Sequence, residues 1–178
     1  PGKGTKDFAT SADDIGNLPL EVCETINGSW GFNLKDRKHK SEKELVQYLV
    51  KAAGYGSNLL LNVGPMPNGK IQDEHIESLK KIGKWVKQNG QTIYNTKRGP
   101  ISPSDEIAST QDGNIVYIHL LDNNKSEYFI EGFKSKFKNI SYLDSNKKVS
   151  YKKTKTGLHL ILDKKEINSI DTILIMEL

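Results

Sequence analysis

Residues 58–63 (Asn-Leu-Leu-Leu-Asn-Val) form a nearly continuous apolar run that ends in Gly64-Pro65-Met66-Pro67-Asn68-Gly69. A run this short, closed by so strong a turn signal, predicts a strand buried on both faces. Such strands belong to parallel sheets, and parallel neighbours must be joined through helices. The flanking sequence supplies those helices. Upstream, Ser41 and Glu44 stand three apart as a capping box, then Leu45, Tyr48, Leu49 and Ala52 recur at helical spacing, with Gly54 as the stop. Downstream, Asp73 opens a second helix whose stripe is Ile76, Leu79, Ile82 and Val86, and Gly90 closes it. Residues 18–26 read as a further strand before the first helix, and residues 1–17 as a loop. The order strand, helix, strand, helix makes this half of the chain α/β with a parallel sheet.

Sites in parallel α/β folds lie at the carboxyl ends of the strands. That rule brings residues 25–30 and 62–67 to one rim. The first strand carries two glutamates, Glu21 and Glu24, and runs into a loop in which Gly28 and Gly31 flank Ser29 and Trp30. A carboxyl group and a presented aromatic are what a sugar-cleaving site needs. The acid protonates the leaving oxygen, and the aromatic face packs on the apolar face of a sugar ring. The alternative is a buried structural strand with a core tryptophan. Alternation sends Glu21, Cys23 and Thr25 to one face and Val22, Glu24 and Ile26 to the other, so only one glutamate faces a given site. Asn62, at the end of the second strand, reads either as a hydrogen-bonded strand end or as a pocket residue.

From Lys97 the character changes. Gly99-Pro100 and Ser102-Pro103 mark a boundary, giving units of residues 1–97 and 98–178. Short alternating runs follow at 115–121, 128–130, 140–143, 149–151, 158–162 and 172–176, separated by Asp-Gly, Asp-Asn-Asn, Asp-Ser-Asn and Thr-Gly turns. This spacing predicts an antiparallel β-sandwich.

Composition narrows the partners. The net charge of +4 comes largely from Lys134, Lys136, Lys138, Lys147, Lys148, Lys152, Lys153 and Lys155. These lysines alternate with apolar residues or sit in turns, as on solvated strand faces, so nucleic acid is not an expected partner. No apolar run approaches the roughly 18 residues that would span a bilayer, so no membrane partner is expected, and the first residues lack a signal-peptide pattern. The start reads as the middle of a loop, with sequence expected upstream. Cys23 is the only cysteine and reads as a small buried hydrophobe. The four histidines lack ligand spacing and read as surface or strand residues. No metal site and no cofactor are expected, and Gly54-Tyr55-Gly56 precedes a strand, the wrong order for a phosphate loop.

Three stretches taken together resemble the C-terminal part of the α-L-fucosidases of glycoside hydrolase family 29. They are Glu21-Val-Cys-Glu-Thr-Ile-Asn-Gly-Ser-Trp-Gly-Phe-Asn33, Asn58-Leu-Leu-Leu-Asn-Val-Gly-Pro-Met-Pro-Asn-Gly69, and Ile82-Gly-Lys-Trp-Val with Asn89-Gly-Gln-Thr-Ile-Tyr94. They fall in the family's order and cover residues 7 to about 97. The resemblance implies the C-terminal part of a (β/α)8-like barrel followed by a β-sandwich. It implies exo-acting, retaining hydrolysis of terminal α-linked L-fucose through a covalent intermediate, with fucosylated oligosaccharides or glycoconjugates as substrates. The nucleophilic aspartate would lie upstream of Pro1, on the rest of the barrel. Glu21-Val22-Cys23 matches the family's Trp-Glu-x-Cys pattern around the acid/base, with Leu20 in place of the tryptophan. Phe8-Ala-Thr-Ser-Ala also departs from the family's aromatic-x-Thr-Pro-Glu. The match favours Glu21 over Glu24 as acid/base, and Trp30 matches an aromatic at the fucose pocket. It implies a periplasmic or extracellular enzyme, lysosomal in a eukaryote. The alternative function is a non-catalytic carbohydrate-binding module.

Overall fold

The computed structural model describes residues 19–178. The expectation of a loop over residues 1–17 lies outside them. The first half contains strand β1 (Leu20–Thr25), helix α1 (Glu42–Tyr55), strand β2 (Ser57–Asn62) and helix α2 (Asp73–Asn89). β1 and β2 pair in parallel, with Thr25 opposite Asn62 at their carboxyl ends. Ser41 caps α1, its hydroxyl accepting from the Glu44 amide while the Glu44 carboxylate accepts from the Ser41 amide.

The second half is β3 (Lys97–Arg98), β4 (Ile107–Asp112), β5 (Ile115–Leu120), β6 (Glu127–Glu131), β7 (Asn139–Tyr142), β8 (Ser150–Lys153), β9 (Gly157–Ile161) and β10 (Thr172–Glu177). They form two antiparallel sheets, ordered β3-β4-β5-β10-β7 and β6-β9-β8. Val116, Ile118 and Leu120 point between the sheets, where they meet Tyr128, Leu158 and Leu174. Tyr117 and Leu121, from the opposite face, pack with Val46 and Val50 of α1 and Trp85 of α2. The helices therefore form a third layer on the five-stranded sheet.

That layering corrects several expectations. The strand covered on both faces is β5. Within this chain β2 is half open, and its Leu60 is 43% exposed. Gly54 does not end α1: it lies inside the helix, where a Cβ would stand 2.9 Å from Pro103 Cγ, so α1 can approach the sheet. The stop is Gly56, whose φ of +77° suits glycine and whose amide bonds Ala52 and Ala53 carbonyls. The stripe shifts with the packing. Leu45, Val46, Val50 and Ala52 are buried in α1 while Tyr48 and Leu49 are half-buried. In α2, His75 and Trp85 are buried and Leu79 is exposed.

β4 was not expected because two of its inward residues are hydroxyls. Ser109 Oγ accepts from Ile101 N and donates to Ile101 O, and Thr110 Oγ1 donates to Thr92 O, so both hydroxyls are satisfied without apolar character. Within this chain Cys23 is exposed, sharing with Glu21 the open face of β1. Two histidines are core residues: His75 is buried beneath His39, and His119 is buried against Asp171. The lysine reading holds for the outer turns and edge: β8 is exposed throughout, and Lys138 and Lys147 pair with Glu177 and Glu166.

Candidate functional site

The parallel register sets the ends of β1 and β2 side by side, and the loops that leave them are joined. Asn62 Nδ2 donates to the carbonyl oxygen of Trp30 at 2.6 Å. Two residues on, Gly64 is buried against the same loop: a Cβ there would stand 2.5 Å from Gly31 C and 2.6 Å from Phe32 N. Only glycine allows this approach of two backbones. The β2 loop is closed by its own bonds, from Gly69 N to Met66 O at 2.8 Å and from Lys70 N to the Asn68 side chain at 3.0 Å.

The β1 loop, residues 26–40, is tied at its ends by Lys40 N donating to Ile26 O at 2.7 Å. Lys40 Nζ adds bonds to Thr25 O at 2.7 Å, Glu24 Oε1 at 3.1 Å and Asn27 O at 3.3 Å. The middle is held by Ser29 Oγ donating to Asp36 at 2.7 Å and by Asp36 N donating to Asn33 O. The Ser29 hydroxyl, with the Gly28 and Lys38 amides, holds the Asp36 carboxyl below its ordinary value. A compact loop with joined ends is a usual carrier of function. This one presents Trp30, 60% exposed, and, four residues on, Leu34 at 67%. The core-tryptophan alternative does not describe Trp30.

The two glutamates of β1 have different surroundings. Glu24 is half-buried, ion-paired to Lys40, and accepts from the Thr25 amide at 2.8 Å. Glu21 is exposed on the open face with Cys23. Glu21 precedes Thr25 by four residues, which is about 13 Å along a strand. The structure thus joins Trp30 and Asn62 at the rim and sets Glu21 back along β1. Among the described residues there is no group of three or more His, Cys, Asp or Glu that could hold a metal ion, and no helix is long and apolar enough to cross a membrane. A cleft of about 410 Å³ lined by Lys84, Trp85, Gln88 and Asn89 with Asp144 and Asn168 lies where the end of α2 meets the sandwich. Trp85 is twelve residues along α2, about 18 Å from the start of that helix.

Sequence reasoning did not find Lys40, Asp36 or Gly64. The Gly64-Pro65 turn signal could have pointed to Gly64. Nothing local marks Lys40, whose partner Glu24 is sixteen residues away.

A parallel unit with linked loops at its strand ends, backed by an antiparallel sandwich, is an architecture found among glycoside hydrolases. Residues 5–91 match the family model of the α-L-fucosidases. The plasma α-L-fucosidase of Homo sapiens is 39% identical over 79 residues, which are 43% of this chain and 17% of the human protein. Among solved structures, α-L-fucosidase isoenzyme 1 from Paenibacillus thiaminolyticus is 28% identical with a TM-score of 0.77, over 90% of this chain and 40% of its own. The Thermotoga maritima α-fucosidase in complex with fucose is 27% identical with a TM-score of 0.79, over 93% of this chain and 41% of its own. The chain spans under half the length of each relative.

Proposed function

We propose that this chain is the C-terminal part of an exo-acting α-L-fucosidase, residues 1–97 completing a (β/α)8-like barrel and residues 98–178 forming the sandwich behind it. The observation that carries this reading is the rim itself: in a chain that matches this family, the loops after two parallel strands are bonded through Asn62 and Trp30, and Trp30 presents an open aromatic face. Trp30 and Asn62 hold terminal L-fucose of fucosylated oligosaccharides or glycoconjugates from the rim, with the glycosidic bond lying down the open face of β1 toward Glu21. Glu21 is the acid/base and works in two steps. As an acid it gives its proton to the glycosidic oxygen while an aspartate upstream of Pro1 attacks the anomeric carbon. As a base it then takes a proton from the water that releases fucose with retained configuration. The engagement of Glu24 by Lys40 and by the Thr25 amide supports Glu21 as the free carboxylate. The relatives from plasma and tissue support an extracellular or lysosomal setting.

The experiment is hydrolysis of an aryl α-L-fucoside by the full-length protein with Glu21→Ala and Glu24→Ala. Glu21→Ala is expected to lower kcat by 100-fold or more for a poor leaving group and to be rescued by azide. Glu24→Ala is expected to leave kcat within a few-fold. The opposite pattern overturns the assignment of Glu21, and a wild-type protein that binds fucosides without turnover makes the chain a carbohydrate-binding module. In retaining enzymes the two carboxyl groups stand roughly 5–5.5 Å apart, so a full-length structure with Glu21 far from every aspartate would also exclude it.

A further inference from the structure

Three consecutive carbonyls, Thr25, Ile26 and Asn27, turn the chain from β1 into the loop, and all three accept from one residue. Lys40 reaches Thr25 O at 2.7 Å and Asn27 O at 3.3 Å through Nζ, and Ile26 O at 2.7 Å through its own amide. The third donor of the ammonium goes to Glu24 Oε1 at 3.1 Å, which uses all three. The side chain is largely buried, 22% exposed, and its ammonium stands 5.9 Å from the centre of the Tyr48 ring. Lys125 and Lys138, by contrast, reach carboxylates on the open surface, where an ion pair contributes about 0–1 kcal/mol. Lys40 also immediately precedes Ser41, the cap of α1. The start of the loop is therefore fastened to the first rigid turn of a helix that is itself packed on the sandwich.

From this arrangement we propose that Lys40 is a positioning residue for the sugar site. It fixes the turn at Thr25–Asn27, and Trp30, three residues on, inherits its place from that turn and from the Asn62 bond. The inference rests on the fucosidase reading for the identity of the sugar, but the clamp itself does not. Without the ammonium, the Thr25 carbonyl loses this donor and Glu24 its counter-charge, while Asn27 O keeps only the Thr25 hydroxyl and Glu24 the Thr25 amide and hydroxyl, a half-buried arrangement that favours opening of the turn. Glu24 is then the counter-charge of the clamp, a role that separates it from Glu21.

The test uses the full-length protein with Lys40→Met, Lys40→Arg and Glu24→Gln, read by steady-state kinetics on an aryl α-L-fucoside and by hydrogen exchange. Lys40→Met is expected to raise KM at least tenfold while kcat keeps its wild-type pH profile. Amide exchange over residues 25–33 should rise at least tenfold, with β5 unchanged. Lys40→Arg should recover part of both, and Glu24→Gln should give a smaller rise in exchange of the same segment. A purely structural role predicts a lower folded fraction, so Vmax falls and KM stays constant; that result overturns the proposal, as does unchanged exchange over residues 25–33. If Lys40→Met does not fold, wild-type KM and exchange in both other variants overturn it. If the wild-type protein leaves fucosides uncleaved, the fucosidase reading fails, and exchange in the variants still decides the clamp.

Discussion

Asn62 Nδ2 donates to the Trp30 carbonyl oxygen at 2.6 Å, and this side-chain bond links the loops of two strands that the chain separates by a whole helix. One hydrogen bond contributes about 1 kcal/mol net, which corresponds to about fivefold in affinity. Asn62→Ala is therefore expected to raise KM for an aryl α-L-fucoside about fivefold, with a melting shift of only a few degrees. Asn62→Asp should do more, because it aims a carboxylate at a carbonyl. Wild-type KM in both variants would show that the bond does not shape the site.

Gly64 offers a sharper test of the same junction. A Cβ at position 64 would overlap the backbone of Gly31 and Phe32, whereas a Cβ at Gly31 would meet nothing within 4 Å. Backbone cannot yield as a side-chain tip can. Gly64→Ala should cost about 2 kcal/mol or more and lower the melting temperature by at least about 5 °C. Gly31→Ala should stay within about 0.5 kcal/mol of wild type. Equal melting temperatures for the two variants would contradict the close approach.

The parallel unit was legible because each of its parts carries a local signal: the Ser41–Glu44 box, the residue 58–63 run and the turn that follows it. The parallel pairing of β1 with β2, and the shared rim at their carboxyl ends, then follow from topology. What stayed hidden was non-local. Glu24 and Lys40 find each other across sixteen residues, and neither has a pattern of its own. β4 hid because Ser109 and Thr110 meet their burial cost with backbone partners rather than with apolar atoms. Gly54, a glycine near a helix end, carries the same local signal as a cap, yet its role is to let Pro103 and Ala108 come close. For Glu21, the motif speaks for catalysis, while the strand geometry sets it about 13 Å behind the rim.

His119 and Asp171 share a 2.6 Å hydrogen bond with both side chains wholly buried. His119 lies opposite Ala108 and Ile173, in the face of the five-stranded sheet that meets the helices. Removing one partner leaves a buried polar group with nothing to bond, at a cost of about 3 kcal/mol. His119→Leu and Asp171→Leu are each expected to lower the melting temperature by about 6–12 °C. The double variant should be more stable than the sum of the single losses implies. Additive losses in a thermal melt would mean that the two residues act separately.

His75 gives a prediction for acid. Burial pushes its imidazole below the ordinary value of 6.5, His39 pushes the same way, and Glu74 and Asp36 oppose. The folded ring thus holds fewer protons than the unfolded one between the two values, so stability rises with pH. The contribution is complete above about pH 6.5 and is lost as the pH falls toward the folded value. Asp36 and Glu44 are also depressed, but from ordinary values of 3.8 and 4.5, so their losses fall at lower pH. The melting temperature should fall from pH 7 to pH 5, and His75→Phe, which keeps an apolar ring in the site, should flatten that slope. His39→Asn should reduce it in part by removing the neighbouring imidazole. A slope in His75→Phe equal to that of the wild type would place the acid sensitivity elsewhere.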